Sequence, residues 1–98
     1  MPNAEQAIQT LTIGAADLQT MIDHCVAGLP NEACGILAGR SGRVEQVYRM
    51  TNVRPGPASY EMDPRAQFRV MKEIRDAGHA LLGIYHSHTG CPAYPSSI

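Results

Sequence analysis

Residues 80–88 read ALLGIYHSH, an apolar run that ends in two histidines separated by a serine. Its apolar residues fall on both faces of an extended chain, which predicts a strand in the centre of a sheet. Side chains two residues apart on a strand point to the same face. His86 and His88 would therefore lie side by side at the strand end, with Ser87 on the opposite face. Two such imidazoles can bind one zinc ion, but a His-x-His triplet also occurs in hydrogen-bonded strand ends without metal.

Further strands are predicted upstream of this segment. Residues 34–39 read CGILAG, a short apolar run typical of a strand that is buried on both faces. Ser41 and Gly42 then predict a tight turn into residues 43–50, where apolar and polar residues alternate as in a half-exposed antiparallel strand. The other assignments are short strands at residues 8–13 and 60–62 and a loop at residues 52–59.

Two amphipathic helices complete the pattern. The first carries Asp17 in its first turn and ends near Pro30. Its apolar face, spaced by three and four residues, consists of Leu18, Met21, Ile22, Cys25, Val26 and Leu29. The second begins with Asp63 as N-cap and Pro64 in the first turn, and ends at Gly78. Its predicted apolar face consists of Phe68, Met71, Ile74 and Ala77.

The order of helix, hairpin, helix and strand predicts one α/β domain over residues 1–98, with a mixed β-sheet flanked by helices. A net charge of −1 with scattered Lys and Arg provides no basic patch for nucleic acid and no polybasic surface for a membrane. No apolar run approaches the ~20 residues that span a bilayer. The cysteines, Cys25, Cys34 and Cys91, share no disulfide or zinc-knuckle spacing, which favours a reducing cytoplasm.

Other polar residues can cooperate with the histidines. Glu32 directly precedes the CGILAG strand, where its carboxylate could act as the base that a catalytic zinc site needs, or could be a solvated loop acid. Ser96 could stabilise a transition-state oxygen or could be a turn residue. Cys91 could be a fourth ligand or a nucleophile, but an ordinary loop thiol is the favoured interpretation.

These residues stand in an order that is similar to a known family. Residues 30–35 read PNEACG around Glu32, followed by the His86-Ser87-His88 triplet and by Ser96. This arrangement resembles the JAMM (MPN-type) metalloprotease family over nearly the whole chain. The resemblance implies a cytidine-deaminase-like α/β fold with a mixed sheet flanked by helices.

The resemblance also implies a role for each residue. His86 and His88 would be ligands of Zn²⁺, Glu32 would be the general acid/base, and Ser96 would hydrogen-bond the oxyanion. The family's third protein ligand is an Asp three residues after that serine, one position past Ile98. The domain is therefore expected to be incomplete at its C-terminus, and these 98 residues are expected to bind zinc weakly and hydrolyse poorly.

A shorter stretch indicates the substrate. The family usually has Pro after the second histidine, where Thr89 stands here, and HSHT followed by AYPS looks like the bacterial branch that acts on ubiquitin-like sulfur-carrier proteins. This implies hydrolysis of a peptide or isopeptide bond near the carrier's C-terminus, or release of cysteine assembled there. Uncovered sheet edges would favour self-association. The alternatives are a zinc nucleoside deaminase, whose HxE and PCxxC motifs are absent, and a non-catalytic scaffold domain of the same fold.

Overall fold

A computed structural model describes residues 10–55 and 60–87 of the chain. The elements, in chain order, are helix α1 (Ala15–Gly28), strand β1 (Cys34–Arg40), strand β2 (Arg43–Met50), helix α2 (Pro64–Asp76) and strand β3 (Ala80–His86). Each of them lies where the sequence predicts a helix or a strand. The predicted α/β class is therefore confirmed.

The strands form one sheet in the order β2-β1-β3, with both pairs antiparallel. A single parallel bridge from Thr12 to Arg43 adds the mixed character that was predicted, and the expected leading strand is reduced to this bridge within the described residues. The β1–β2 turn is tight because Ser41 and Gly42 both adopt positive φ, at 52° and 75°. This backbone matches the twist of the flanking strands in a two-residue hairpin.

The central strand of the described sheet is β1. The prediction of a central strand at residues 80–88 is therefore wrong for its described part, which forms β3 at the edge of this sheet. In β1 every residue from 34 to 39 is buried, whereas in β3 only Tyr85 is. Leu81 and Ile84 of β3 are 45% and 50% exposed. Apolar side chains on both faces show that a strand can be buried, but they do not determine which strand has neighbours on both sides.

Alternate residues of β1 face two separate apolar clusters. Cys34, Ile36 and Ala38 contribute to the cluster that contains α2, and Leu37 contributes to the cluster against which α1 packs. The helices therefore cover opposite faces of the sheet, as in a layered domain.

Helix α1 contacts the sheet through part of its predicted apolar face. Met21 and Cys25 pack against Leu37, Val44 and Tyr85, but no residue of the helix is fully buried. The other members of the predicted face are 46–60% exposed, namely Leu18, Ile22, Val26 and Leu29. The spacing correctly places these residues on one side of the helix, yet within the described residues only the middle of that side has a packing partner.

Helix α2 packs on the sheet through Ala66, Val70 and Ile74, which recur every four residues. The predicted face was correct for Ile74 but wrong for Phe68, which is 77% exposed, and for Met71, which is 38% exposed. A smaller set of apolar residues, aligned with Ile74, forms the contact instead. The helix start is as predicted, because the side chain of the N-cap Asp63 accepts a hydrogen bond from the backbone N–H of Arg65.

Candidate active site

Glu32 and His86 meet at one end of the sheet. Antiparallel pairing places Cys34, the first residue of β1, opposite His86, the last residue of β3. Glu32 lies just before β1 and is only 6% exposed, and its Oε1 is 3.5 Å from His86 Nδ1. A carboxylate that is taken out of water needs a polar or charged neighbour, and here the imidazole ring supplies one.

The other predicted site residues, His88, Ser96 and the loop thiol of Cys91, lie outside the described residues. Within the described parts of the chain, no three His, Cys, Asp or Glu side chains come together as a possible metal site. The structure thus brings two of the predicted catalytic and ligand residues together, Glu32 and His86. Of the two proposed zinc ligands, His86 lies within the described residues and His88 does not.

The imidazole of His86 is stacked on the ring of Tyr60. The ring centroids are 4.6 Å apart and the planes differ by 25°. The His86 side chain is 29% exposed, so the ring is held against Tyr60 on one side while part of it remains accessible. This contact was missed at the sequence level, where Tyr60 was assigned only to a possible short strand.

Ser87, the residue between the two histidines, binds the backbone next to Glu32. Its N–H donates to the Ala33 carbonyl oxygen at 3.0 Å, and its hydroxyl oxygen accepts from the Ala33 N–H at 2.9 Å. Ser87 also has a side-chain hydrogen bond with Cys25 of α1. Burial raises the pKa of the Cys25 thiol, and this hydrogen bond opposes the effect.

The side chain of Asn52 also binds the backbone at Glu32. Its side-chain Nδ2 donates to the Glu32 carbonyl oxygen at 2.8 Å. Its Oδ1 accepts from the backbone N–H groups of Arg54, at 2.9 Å, and Glu61, at 3.0 Å. Neither Asn52 nor Ser87 was predicted to contact the backbone at Glu32.

His24 and Tyr85 form a second polar pair. His24 Nδ1 and the Tyr85 hydroxyl oxygen are 2.7 Å apart, with the two rings edge to face. Burial lowers the pKa of His24, with a further contribution from the positive charge of Arg49. Burial also raises the pKa of Tyr85 to about 12, so its hydroxyl stays protonated and can donate to a neutral His24.

An open cavity of about 340 Å³ lies beside Glu32. Its lining includes the polar side chains of His24, Asn31, Thr51 and Asn52. Glu32 therefore borders a space that a small polar group can enter. Over residues 10–55 and 60–87, neither helix is long and apolar enough to cross a membrane.

Comparison with protein families explains why these residues occur together. The model of the prokaryotic homologs of the JAB domain matches residues 14–98. The chain therefore belongs to the prokaryotic JAB-domain family, which confirms the resemblance inferred from Glu32, the His-Ser-His triplet and Ser96.

Individual relatives agree with this assignment. The chain is similar to the CysO-cysteine peptidase of Mycobacterium tuberculosis, with 40% identity over 91 residues that cover 91% of this chain and 62% of that protein. It is also similar to a probable TtuB-protein conjugate cleaving protease of Thermus thermophilus, with 42% identity over 74 residues that cover 74% of this chain and 49% of that protein. The chain thus spans less than two thirds of the length of these relatives.

A solved structure shows the same fold. The solution structure of protein DSY2949 from Desulfitobacterium hafniense superposes with a TM-score of 0.76 at 39% sequence identity. The match covers 90% of this chain and 63% of that one.

Proposed function

We propose that this protein is a zinc-dependent peptidase or isopeptidase that cleaves a bond near the C-terminus of a ubiquitin-like or sulfur-carrier protein. The observation that carries the proposal is the buried Glu32 carboxylate, 3.5 Å from His86 at the end of the sheet. Membership of the JAB-domain family supports a hydrolase. The names of the mycobacterial and Thermus relatives, a CysO-cysteine peptidase and a protease for TtuB conjugates, support this class of substrate.

His86 and His88 are the proposed zinc ligands, since the two histidines flank Ser87 in the sequence and His86 lies beside a buried carboxylate. When bound, the metal would polarise the scissile carbonyl and acidify a water molecule.

Glu32 is the proposed general acid/base. Its carboxylate would take a proton from the attacking water and deliver it to the leaving amine nitrogen, which must be protonated before it departs. Burial suits this role because the carboxylate is held in place by packing rather than moving freely in water. Ser96 would donate a hydrogen bond to the carbonyl oxygen as negative charge develops on it.

We also propose a binding partner and a cellular location for this protein. The partner is the flexible C-terminal tail of the carrier, while nucleic acid and membranes have no part in it. A cytoplasmic location is supported by cysteines without disulfide spacing, of which Cys25 and Cys34 are free thiols. Self-association of the domain over residues 1–98 is supported by the half-exposed Leu81 and Ile84 on β3.

The experiment that tests this function uses the whole gene product and a carrier protein extended beyond its C-terminal glycines by a short peptide. Mass spectrometry should show a shortened carrier, and a zinc chelator should stop the reaction. Glu32→Gln keeps the size of the side chain but removes the base, so kcat should fall at least about 100-fold. Glu45→Gln, on the exposed face of β2, is the matched control and should leave the rate unchanged.

Metal analysis separates this function from the scaffold alternative. The whole gene product should hold about one zinc per chain, and His86→Ala should lower that content. A zinc-loaded protein that leaves every extended carrier intact would rule out the proposed hydrolysis and favour a non-catalytic binding domain.

A further inference from the structure

We infer that Asn52 is a positioning residue that sets the geometry of Glu32 and His86 together, an inference that rests on the proposed function of these two residues. It lies two residues after the end of β2 and belongs to no motif that the sequence indicated. Its side chain nevertheless makes hydrogen bonds to three backbone groups that belong to three different residues, Glu32, Arg54 and Glu61.

The first bond acts on Glu32. Asn52 Nδ2 donates to the Glu32 carbonyl oxygen at 2.8 Å, while the next residue, Ala33, is bound on its own N–H and carbonyl by Ser87. The backbone at residues 32 and 33 is therefore held both by Asn52, just after β2, and by Ser87, just after β3. A carboxylate two bonds beyond its Cβ can keep a fixed contact with His86 only if the backbone that carries it is fixed.

The other two bonds act on the loop between β2 and α2, which carries Tyr60. The amide oxygen of Asn52 accepts from Arg54 at the start of this loop and from Glu61 at its end. A backbone bond from Val53 N–H to the Glu61 carbonyl oxygen, at 2.8 Å, closes the loop beside the amide. Tyr60, one residue before Glu61, is thereby brought to the imidazole of His86, on which it stacks at 4.6 Å.

The chemistry of the amide explains why Asn suits this position. The site needs a donor toward one carbonyl and an acceptor for two N–H groups, and a side-chain amide supplies both on one short side chain. A carboxylate of the same shape could accept the two loop bonds, but it would place an oxygen against the Glu32 carbonyl oxygen. Asn52→Asp therefore breaks the link to Glu32 while it keeps the acceptor for the loop.

An exposed ion pair on the same loop provides the control. Arg54 Nε lies 3.5 Å from Glu61 Oε1, and both side chains are more than half exposed. Arg54→Ala removes this pair but keeps the backbone N–H that donates to Asn52. Exposed pairs of this kind contribute little to stability, so the variant should behave as the wild type does.

Steady-state kinetics on the extended carrier, with the whole gene product, tests the inference. Asn52→Asp should lower kcat at least about tenfold with KM within about twofold, because a small displacement of a catalytic group slows the reaction without loosening substrate binding. Arg54→Ala should leave both constants within about twofold. A merely structural role would instead lower the fraction of folded protein, which urea denaturation of the same samples measures, and would leave kcat per folded molecule unchanged.

A second measurement does not depend on activity. The side-chain NMR resonances of His86 report on its contacts with Glu32 and Tyr60, and Asn52→Asp should shift them while Arg54→Ala should not. If the wild type cleaves no carrier, the proposed function fails and these resonances still decide the positioning role. Unchanged His86 resonances in Asn52→Asp, or an unchanged kcat where the wild type is active, would overturn the inference.

Discussion

Ser87 and Ala33 are joined by two hydrogen bonds that run in opposite directions. The Ser87 N–H donates to the Ala33 carbonyl oxygen at 3.0 Å, and the Ala33 N–H donates to the Ser87 hydroxyl oxygen at 2.9 Å. The pair extends the contact between β1 and β3 one residue past the end of β3. Since Glu32 precedes Ala33 and His86 precedes Ser87, the separation of the two candidate catalytic side chains is set by their chain neighbours.

Removal of the Ser87 hydroxyl should destabilise the protein. In Ser87→Ala the buried N–H of Ala33 loses its acceptor and Cys25 loses a partner, and an unsatisfied buried donor costs about 1–3 kcal/mol. Ser87→Thr keeps the hydroxyl and should lose clearly less. Urea denaturation measures both, and equal midpoints for the two variants would show that the hydroxyl contributes nothing.

Gly35 should tolerate no side chain. A Cβ at this position would overlap the ring of Tyr85 on the neighbouring strand, so one of the two must move. Overpacking of this kind costs about 1–3 kcal/mol in Gly35→Ala. Gly83→Ala is the control, because its Cβ would meet only Leu11 and Leu37 side-chain atoms, at 3.7 and 4.0 Å. Thermal unfolding should rank Gly35→Ala well below Gly83→Ala, and the reverse order would contradict the packing described here.

The pairing of Glu32 with His86 is predictable from the family resemblance, together with the position of both residues at strand ends. The contacts of Asn52 and Tyr60 are not. They depend on the hydrogen bonds that join Arg54 and Glu61 to the Asn52 amide, and these bonds follow no repeating pattern along the chain. Tyr60 lies 26 residues before His86 in the sequence, and only the folded loop brings the two rings together.

The buried face of α2 was not predicted correctly from the sequence, for a different reason. Phe68 and Ile74 are both apolar and both fit a helical spacing, so hydrophobicity alone favours the larger ring for the core. In the fold the sheet accepts the line of Ala66, Val70 and Ile74, with Cys34 and Ile36 of β1 in the same cluster, and leaves Phe68 in solvent. Which of two overlapping apolar lines is buried depends on the shape of the sheet surface, which the helix sequence does not contain.

Substitutions on α2 should distinguish the two lines. Phe68→Ala removes a ring that is 77% exposed, and should change the free energy of unfolding by less than about 0.5 kcal/mol. Val70→Ala removes methyl groups from a residue that is 8% exposed, and should cost about 1–3 kcal/mol. Urea denaturation of both variants checks this ranking. A loss of about 3–5 kcal/mol for Phe68→Ala, typical of a buried ring, would restore the face that the sequence predicted.

The pair of His24 and Tyr85 should make stability fall in acid. Burial and Arg49 lower the pKa of His24 in the folded state, so the unfolded chain binds a proton more readily. The free energy of unfolding therefore falls as the pH drops below about 6.5, the pKa of a histidine in the unfolded chain. The fall ends once the pH is below the pKa of His24 in the folded state. His24→Asn places an amide oxygen near the position of Nδ1, where it can accept from Tyr85 without titrating. The free energy of unfolding, measured in urea at several pH values from 7.5 to 5, should therefore fall less in His24→Asn than in the wild type. The difference between the two proteins isolates His24 from the other histidines, including His79 beside Glu45. An identical slope in both would show that His24 is not the group responsible.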